Sequence, residues 1–143
     1  MRAWWSDYGW YVIGGVVLGA AILFGINYYQ TQKVNAEIAA SALYDELAEH
    51  VTRGDLDAAE TTVASLDGEY GNSSYAAQSK LAMARLYMDK NRDQDAAEAL
   101  HGLLAMNGYE HLKHVARARL AKILLYQGKP EEVLSLLEGQ DNP

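Results

Sequence analysis

KLAMARLYMDKNRDQDAAEAL, Lys80–Leu100, lies without gaps on RARLAKILLYQGKPEEVLSLL, Arg117–Leu137, at a shift of 37 residues. The alignment pairs Ala84 with Ala121, Arg85 with Lys122, Leu86 with Ile123 and Leu100 with Leu137. Within each copy the apolar residues recur at three and four, as in Leu81, Ala84 and Met88 or Leu120, Ile123 and Leu124, which places them on one face of a helix. A third copy is read at a shift of 38, where Asp57-Ala58-Ala59-Glu60 parallels Asp95-Ala96-Ala97-Glu98.

The same periodicity holds from Val34 onward, including Leu43, Leu47 and Val51, with no strand-like alternation. Breaks fall at Arg53-Gly54-Asp55, Gly68 through Ser74, Asn91-Arg92-Asp93, Asn107-Gly108, Gln127 through Pro130 and Gly139 through Pro143. Six helices in three helix-turn-helix units are therefore expected. Asp55 and Asp93 are expected as N-caps, and Pro130 as a first helical residue followed by Glu131 and Glu132 at the positive end of the helix dipole. A period in the high thirties with small alanines at the helix contacts predicts an all-α, tetratricopeptide-like solenoid of about three helix pairs. A tryptophan in the first helix and a proline closing the second, both usual in such repeats, are missing.

The region before the repeats has a different solvent. Tyr8–Gln32 contains no charged residue for 25 positions, whereas 11 of 12 basic and 18 of 19 acidic residues follow from Lys33 on. A helix of that length is about 37 Å long and a hydrocarbon core about 30 Å thick, so it spans. Aromatic belts flank it: Trp4, Trp5, Tyr8, Trp10 and Tyr11 before, Tyr28 and Tyr29 after. A cleaved secretory signal also starts with a basic residue and an apolar run, but Asn27-Tyr28-Tyr29-Gln30 is no small-x-small cleavage site. The expected division is a cytoplasmic tail at 1–7, a transmembrane helix at 8–32 and a periplasmic domain at 33–143. The short tail and the net −7 of the following domain favour a cytoplasmic N-terminus, although the Lys/Arg bias is thin.

Absence of cysteine excludes disulfides and thiolate chemistry. The acidic balance argues against nucleic acid as a partner, because phosphate backbones need basic patches. No phosphate-binding glycine loop, HExxH or GxSxG occurs, so no enzyme activity and no cofactor are expected. His111 and His114, with His101 nearby, lack the further ligands of a metal site and read as surface imidazoles. Two sets of contact residues remain. Gly15 and Gly19, with Ala21 and Gly25, repeat small residues at four-residue spacing and would let another membrane helix approach, against the plain alternative of lipid-facing glycines. Tyr44, Arg85, Tyr87, Arg117 and Lys122 fall on the first helices of their pairs, which line the groove of such stacks, although aromatics at helical spacing are more often core.

These pieces resemble the YfgM-like family, ancillary subunits of the SecYEG translocon. The resemblance is carried by Trp4-Trp5 and Gly9 before the membrane helix, ASALYDEL at Ala40–Leu47, SKLAMARLYMDKNRDQDAAEAL at Ser79–Leu100 and LKHVARARLAKILLYQGKPEEVLSLL at Leu112–Leu137. It implies a single-pass protein of the bacterial inner membrane whose periplasmic domain works at the SecYEG translocon. The implied partners are a membrane-anchored periplasmic prolyl-isomerase-like chaperone and unfolded secreted clients. The sequence departs from the family by a tail cut to a few residues and by stopping after Leu137-Glu138-Gly139, where family members continue with at least another helix pair. This reads either as a truncated form or fragment, or as a minimal member whose last face is covered by a partner. The competing reading is an envelope adaptor of the same architecture that coordinates cell-wall or division machinery.

Overall fold

The computed structural model describes residues 2–138, with side chains from Tyr8 onward. The side chains of Trp4 and Trp5 are outside those described, and the turn expected at Gly139–Pro143 lies outside the described residues. Six α-helices and no strand occur among those described: α1 Arg2–Arg53, α2 Leu56–Tyr70, α3 Ser74–Asp89, α4 Asp93–Leu104, α5 Glu110–Tyr126 and α6 Pro130–Glu138. Two units are distinguished, the first ending at Ile38 and the second beginning at Ala39.

In the first unit every described apolar residue from Trp10 to Ile26 is exposed or nearly so, Trp10 at 82% and Phe24 at 77%. Such a surface suits an apolar solvent, and the helix is long and apolar enough to cross a membrane. No break separates that segment from the first repeat helix. Between Gly25 and Gly54 there is neither glycine nor proline, so α1 runs on to Arg53 as one element. Its last turns supply the first of the six helices expected for the repeats.

The second unit holds its core in three clusters. Leu47, Ala59, Met83 and Leu86 pack where α1, α2 and α3 meet; Ala40, Leu66 and Ala76 form a second cluster. The largest joins α3 to α6 through Ala84, Ala96, Leu100, Leu103, Leu120, Ile123 and Val133. Helices pack in chain order, α2 on α3, α3 on α4, α4 on α5 and α5 on α6, which is the nearest-neighbour logic of a solenoid.

The repeat is written in the backbone as well. Gly54, Asn91 and Gly128, each 37 residues from the next, all adopt the left-handed conformation, with φ of 72°, 60° and 72°. At each, the amide of the following residue reaches back five positions: Asp55 N–H to His50 O at 3.0 Å, Arg92 N–H to Tyr87 O at 2.8 Å, Lys129 N–H to Leu124 O at 2.9 Å. This is the Schellman stop, repeated three times. Ala59, Ala96 and Val133, again 37 apart, are all buried. The first repeat is thus related to the second by 37 residues, correcting the 38-residue match of Asp57–Glu60. That match aligned buried Ala96 with half-buried Ala58 instead of Ala59; the short Asp-Ala-Ala-Glu motif matches out of register.

Two helix starts follow the expected chemistry and one does not. The Asp55 carboxylate accepts the Ala58 N–H at 3.2 Å, and Pro130 opens α6 with Glu131 and Glu132 behind it. Asp93, expected as an N-cap, is instead the first residue of α4; Arg92 holds the cap position and makes no capping hydrogen bond through its side chain. The Schellman turn sets this by directing Arg92 N–H into the end of α3. Ser73 caps α3 by accepting the Ala76 N–H at 3.1 Å.

Candidate functional site

Two cavities flank α3, one on each side, and they divide the residues expected in the groove. The first, about 280 Å³, is floored by Ala84, Met88, Leu100 and Ile123 and rimmed by Arg85, Asp89, Arg119 and Lys122. Arg85 and Lys122 are equivalent positions of successive repeats, and stacking α3 beside α5 brings both to this rim. Arg119 is three residues before Lys122 and so shares its face. It was missed by sequence reasoning, although that helical spacing from Lys122 could have found it. Its guanidinium donates to Leu81 O at 3.2 Å, tying α5 to the backbone of α3.

The second cavity, about 480 Å³, lies among α2, α3 and α4. Tyr87, two residues beyond Arg85 and therefore on the other side of α3, belongs here. Its hydroxyl donates to Glu60 Oε1 at 3.0 Å, and the Arg92 guanidinium lies 5.0 Å from its ring centroid. Arg92 also donates to Glu60 at 3.1 Å and to Asp95 at 2.6 Å. Burial, then the hydrogen bond and negative charge of Glu60, push the Tyr87 phenol up from 10.0 to about 12. Lys80 pairs with Asp67 at 2.7 Å in the same cavity. Apart from Glu98, the charged side chains of the lining are paired with one another and tie three helices together.

The remaining expected residues are placed elsewhere. Tyr44 packs against the cluster of Leu47, Ala59, Met83 and Leu86, its ring 5.8 Å from that of Tyr75. Arg117 is half-buried on α5 and lines neither cavity. Gly15, Gly19, Ala21 and Gly25 are exposed on α1. Ala21 shares a shallow groove with Trp10, Gly14 and Leu18, a face that does not include Gly15 and Gly19. His101, His111 and His114 are exposed. No group of three or more metal-ligating side chains able to hold an ion occurs among the described residues.

Comparison with known proteins agrees with this architecture. The family model described as a tetratricopeptide repeat-like domain matches residues 2–143. The "Ancillary SecYEG translocon subunit" of Escherichia coli (strain K12) is 29% identical over 141 residues, covering 96% of this chain and 66% of that protein. The protein of the same name from Haemophilus influenzae (strain ATCC 51907 / DSM 11121 / KW20 / Rd) is 29% identical over 138 residues, covering 96% and 67%. This chain therefore spans about two thirds of the length of these relatives. No solved structure matches. The names are those of the family that the membrane segment and repeats resemble, which is a repeat-domain family and not an enzyme family. With the three stacked helix pairs and the match along nearly its whole length, this chain belongs to the tetratricopeptide repeat-like domain family.

Proposed function

We propose that this chain is a scaffold of the bacterial inner membrane, anchored by residues 8–32 with its N-terminus in the cytoplasm and its repeats, 33–143, in the periplasm. There it binds the SecYEG translocon and a membrane-anchored prolyl-isomerase-like chaperone and assists handover of emerging secreted proteins. One observation carries the reading: relatives named as ancillary translocon subunits align over 96% of this chain, anchor and repeats together. Supporting it are the exposed apolar surface of the first unit, which needs a membrane, and a repeat surface with grooves suited to extended or helical polypeptide. The role is binding without turnover.

Photocrosslinking in membranes, from Gly19 and separately from Lys122, followed by mass spectrometry tests it. Adducts with translocon subunits and a periplasmic chaperone are expected. Adducts with cell-wall or division machinery alone would overturn the proposal in favour of the envelope adaptor.

A further inference from the structure

We propose that the cavity between α3 and α5 is a docking site for an acidic polypeptide segment carrying an aliphatic side chain, held by Arg85, Arg119 and Lys122. This deepens the scaffold reading and rests on it for the presence of a polypeptide partner.

The argument begins with charge. From Lys33 on, 18 carboxylates face 11 cations, so a cation without an ion pair is not short of local candidates. Arg53, Lys80, Arg92, Lys113 and Lys129 each have a carboxylate within ion-pair distance. Among the described residues Lys33, Arg85, Lys90, Arg117, Arg119 and Lys122 have none, and the fold gathers three of these six, Arg85, Arg119 and Lys122, around one cavity. Asp89 is on the same rim at a distance that pairs with none of them. The opposite cavity is the internal comparison: its cations, Lys80 and Arg92, are fully engaged by Asp67, Glu60 and Asp95. Repulsion among clustered cations in an otherwise acidic domain is relieved by a ligand that brings negative charge.

The floor sets the rest of the ligand. Ala84, Met88, Leu100 and Ile123 are apolar, and methionine adapts to varied side chains. A volume of about 280 Å³ is at the small end of binding cavities, room for an anchoring side chain and not for a whole folded element. An apolar anchor flanked by carboxylates satisfies floor and rim together. Anionic lipid headgroups or nucleic acid would meet the rim alone, against the net −7 of the domain.

The test uses the full chain in nanodiscs of zwitterionic lipid. Fluorescence anisotropy compares a labelled glutamate- and leucine-rich peptide with the same peptide carrying glutamine in place of glutamate. The acidic peptide is expected to bind about 10-fold tighter, and Arg85→Glu to remove most of that difference. Lys90→Glu, the same charge change at an exposed lysine outside the cavity, is expected to change it less than about 2-fold, as screened surface charges do. Circular dichroism establishes that both variants fold. Equal binding of the two peptides, or equal losses in the two variants, overturns the proposal. So does displacement of the acidic peptide by phosphatidylglycerol vesicles whose own binding is lost in Arg85→Glu, which would assign the rim to general polyanion attraction. Co-purification of the native chain with the translocon is read in parallel: if it is seen while the native chain does not discriminate between the two peptides, only the cavity assignment fails.

Discussion

Replacing Gly128 by alanine isolates the backbone cost of the repeat's stop signal. A methyl group built at Gly128 has nothing within 4 Å, so no clash enters the balance. What remains is φ of 72°, which costs an L-residue about 1–2 kcal/mol. Alanine also restricts the unfolded chain, returning about 0.4–1 kcal/mol. The net is a loss of about 1 kcal/mol, or about 4–8 °C in Tm for a domain near this size. The equivalent position in the preceding repeat is Asn91, the non-glycine residue most at ease in this conformation, so Asn91→Ala should lose a similar amount and Asn91→Gly should stay within about 0.5 kcal/mol of the native chain. Thermal unfolding of the full chain in detergent, followed by far-UV circular dichroism, measures all three. Unchanged midpoints in both Gly128→Ala and Asn91→Ala would refute the claim that the three stops share one strained geometry.

Leu100 is fully buried in the largest cluster, and Leu100→Ala should cost about 3–5 kcal/mol, whereas Leu125→Ala, exposed at 59%, should stay within about 0.5 kcal/mol; urea titration separates them. Asp55→Ala removes a cap and should lose about 1 kcal/mol, while Asp93→Ala, a first-turn residue, loses only a dipole contribution of about 0.3–1 kcal/mol, so reversed ranking by chemical denaturation would contradict the cap assignment. Tyr87 should ionise near pH 12 in an ultraviolet titration, with Tyr87→Phe deleting that component. Because its folded pKa is raised, its stabilisation is complete below pH 10 and declines as pH rises from 10 toward 12; ionisation of Tyr87 at or below pH 10 would show that the Glu60 hydrogen bond does not persist.

Much of the fold was legible because repetition amplifies weak signals: Arg85 over Lys122 and Leu86 over Ile123 reinforce one another in a way no isolated helix does. The join between membrane segment and first repeat was less legible, since a change of solvent at Lys33 resembles an element boundary while α1 runs on to Arg53 without a breaker. The groove was half legible. Arg85 and Lys122 share a rim because repeat equivalence fixes their faces, but a residue two positions away on the same helix, Tyr87, points to the other cavity, and membership of a first helix alone does not tell the two sides apart. Arg119 needed the helical spacing from Lys122. The ion pairs of Arg53, Lys113 and Lys129 are local ones at helical spacing, whereas those of Lys80 with Asp67 and Arg92 with Glu60 join different helices, and sequence offers no rule for these.

The last helix has a different consequence. In α6 the described residues bury Val133, with Leu136 half-buried, while Leu134 and Leu137 face outward at 61% and 45% exposure. A nine-residue helix held by so little side-chain burial opens at a small fraction of the free energy needed to unfold α3 or α4. In the chain 1–143, protection of its amides against deuterium should therefore be lower than that of α3 and α4, with the Glu60–Tyr87–Arg92 knot among the later regions to exchange.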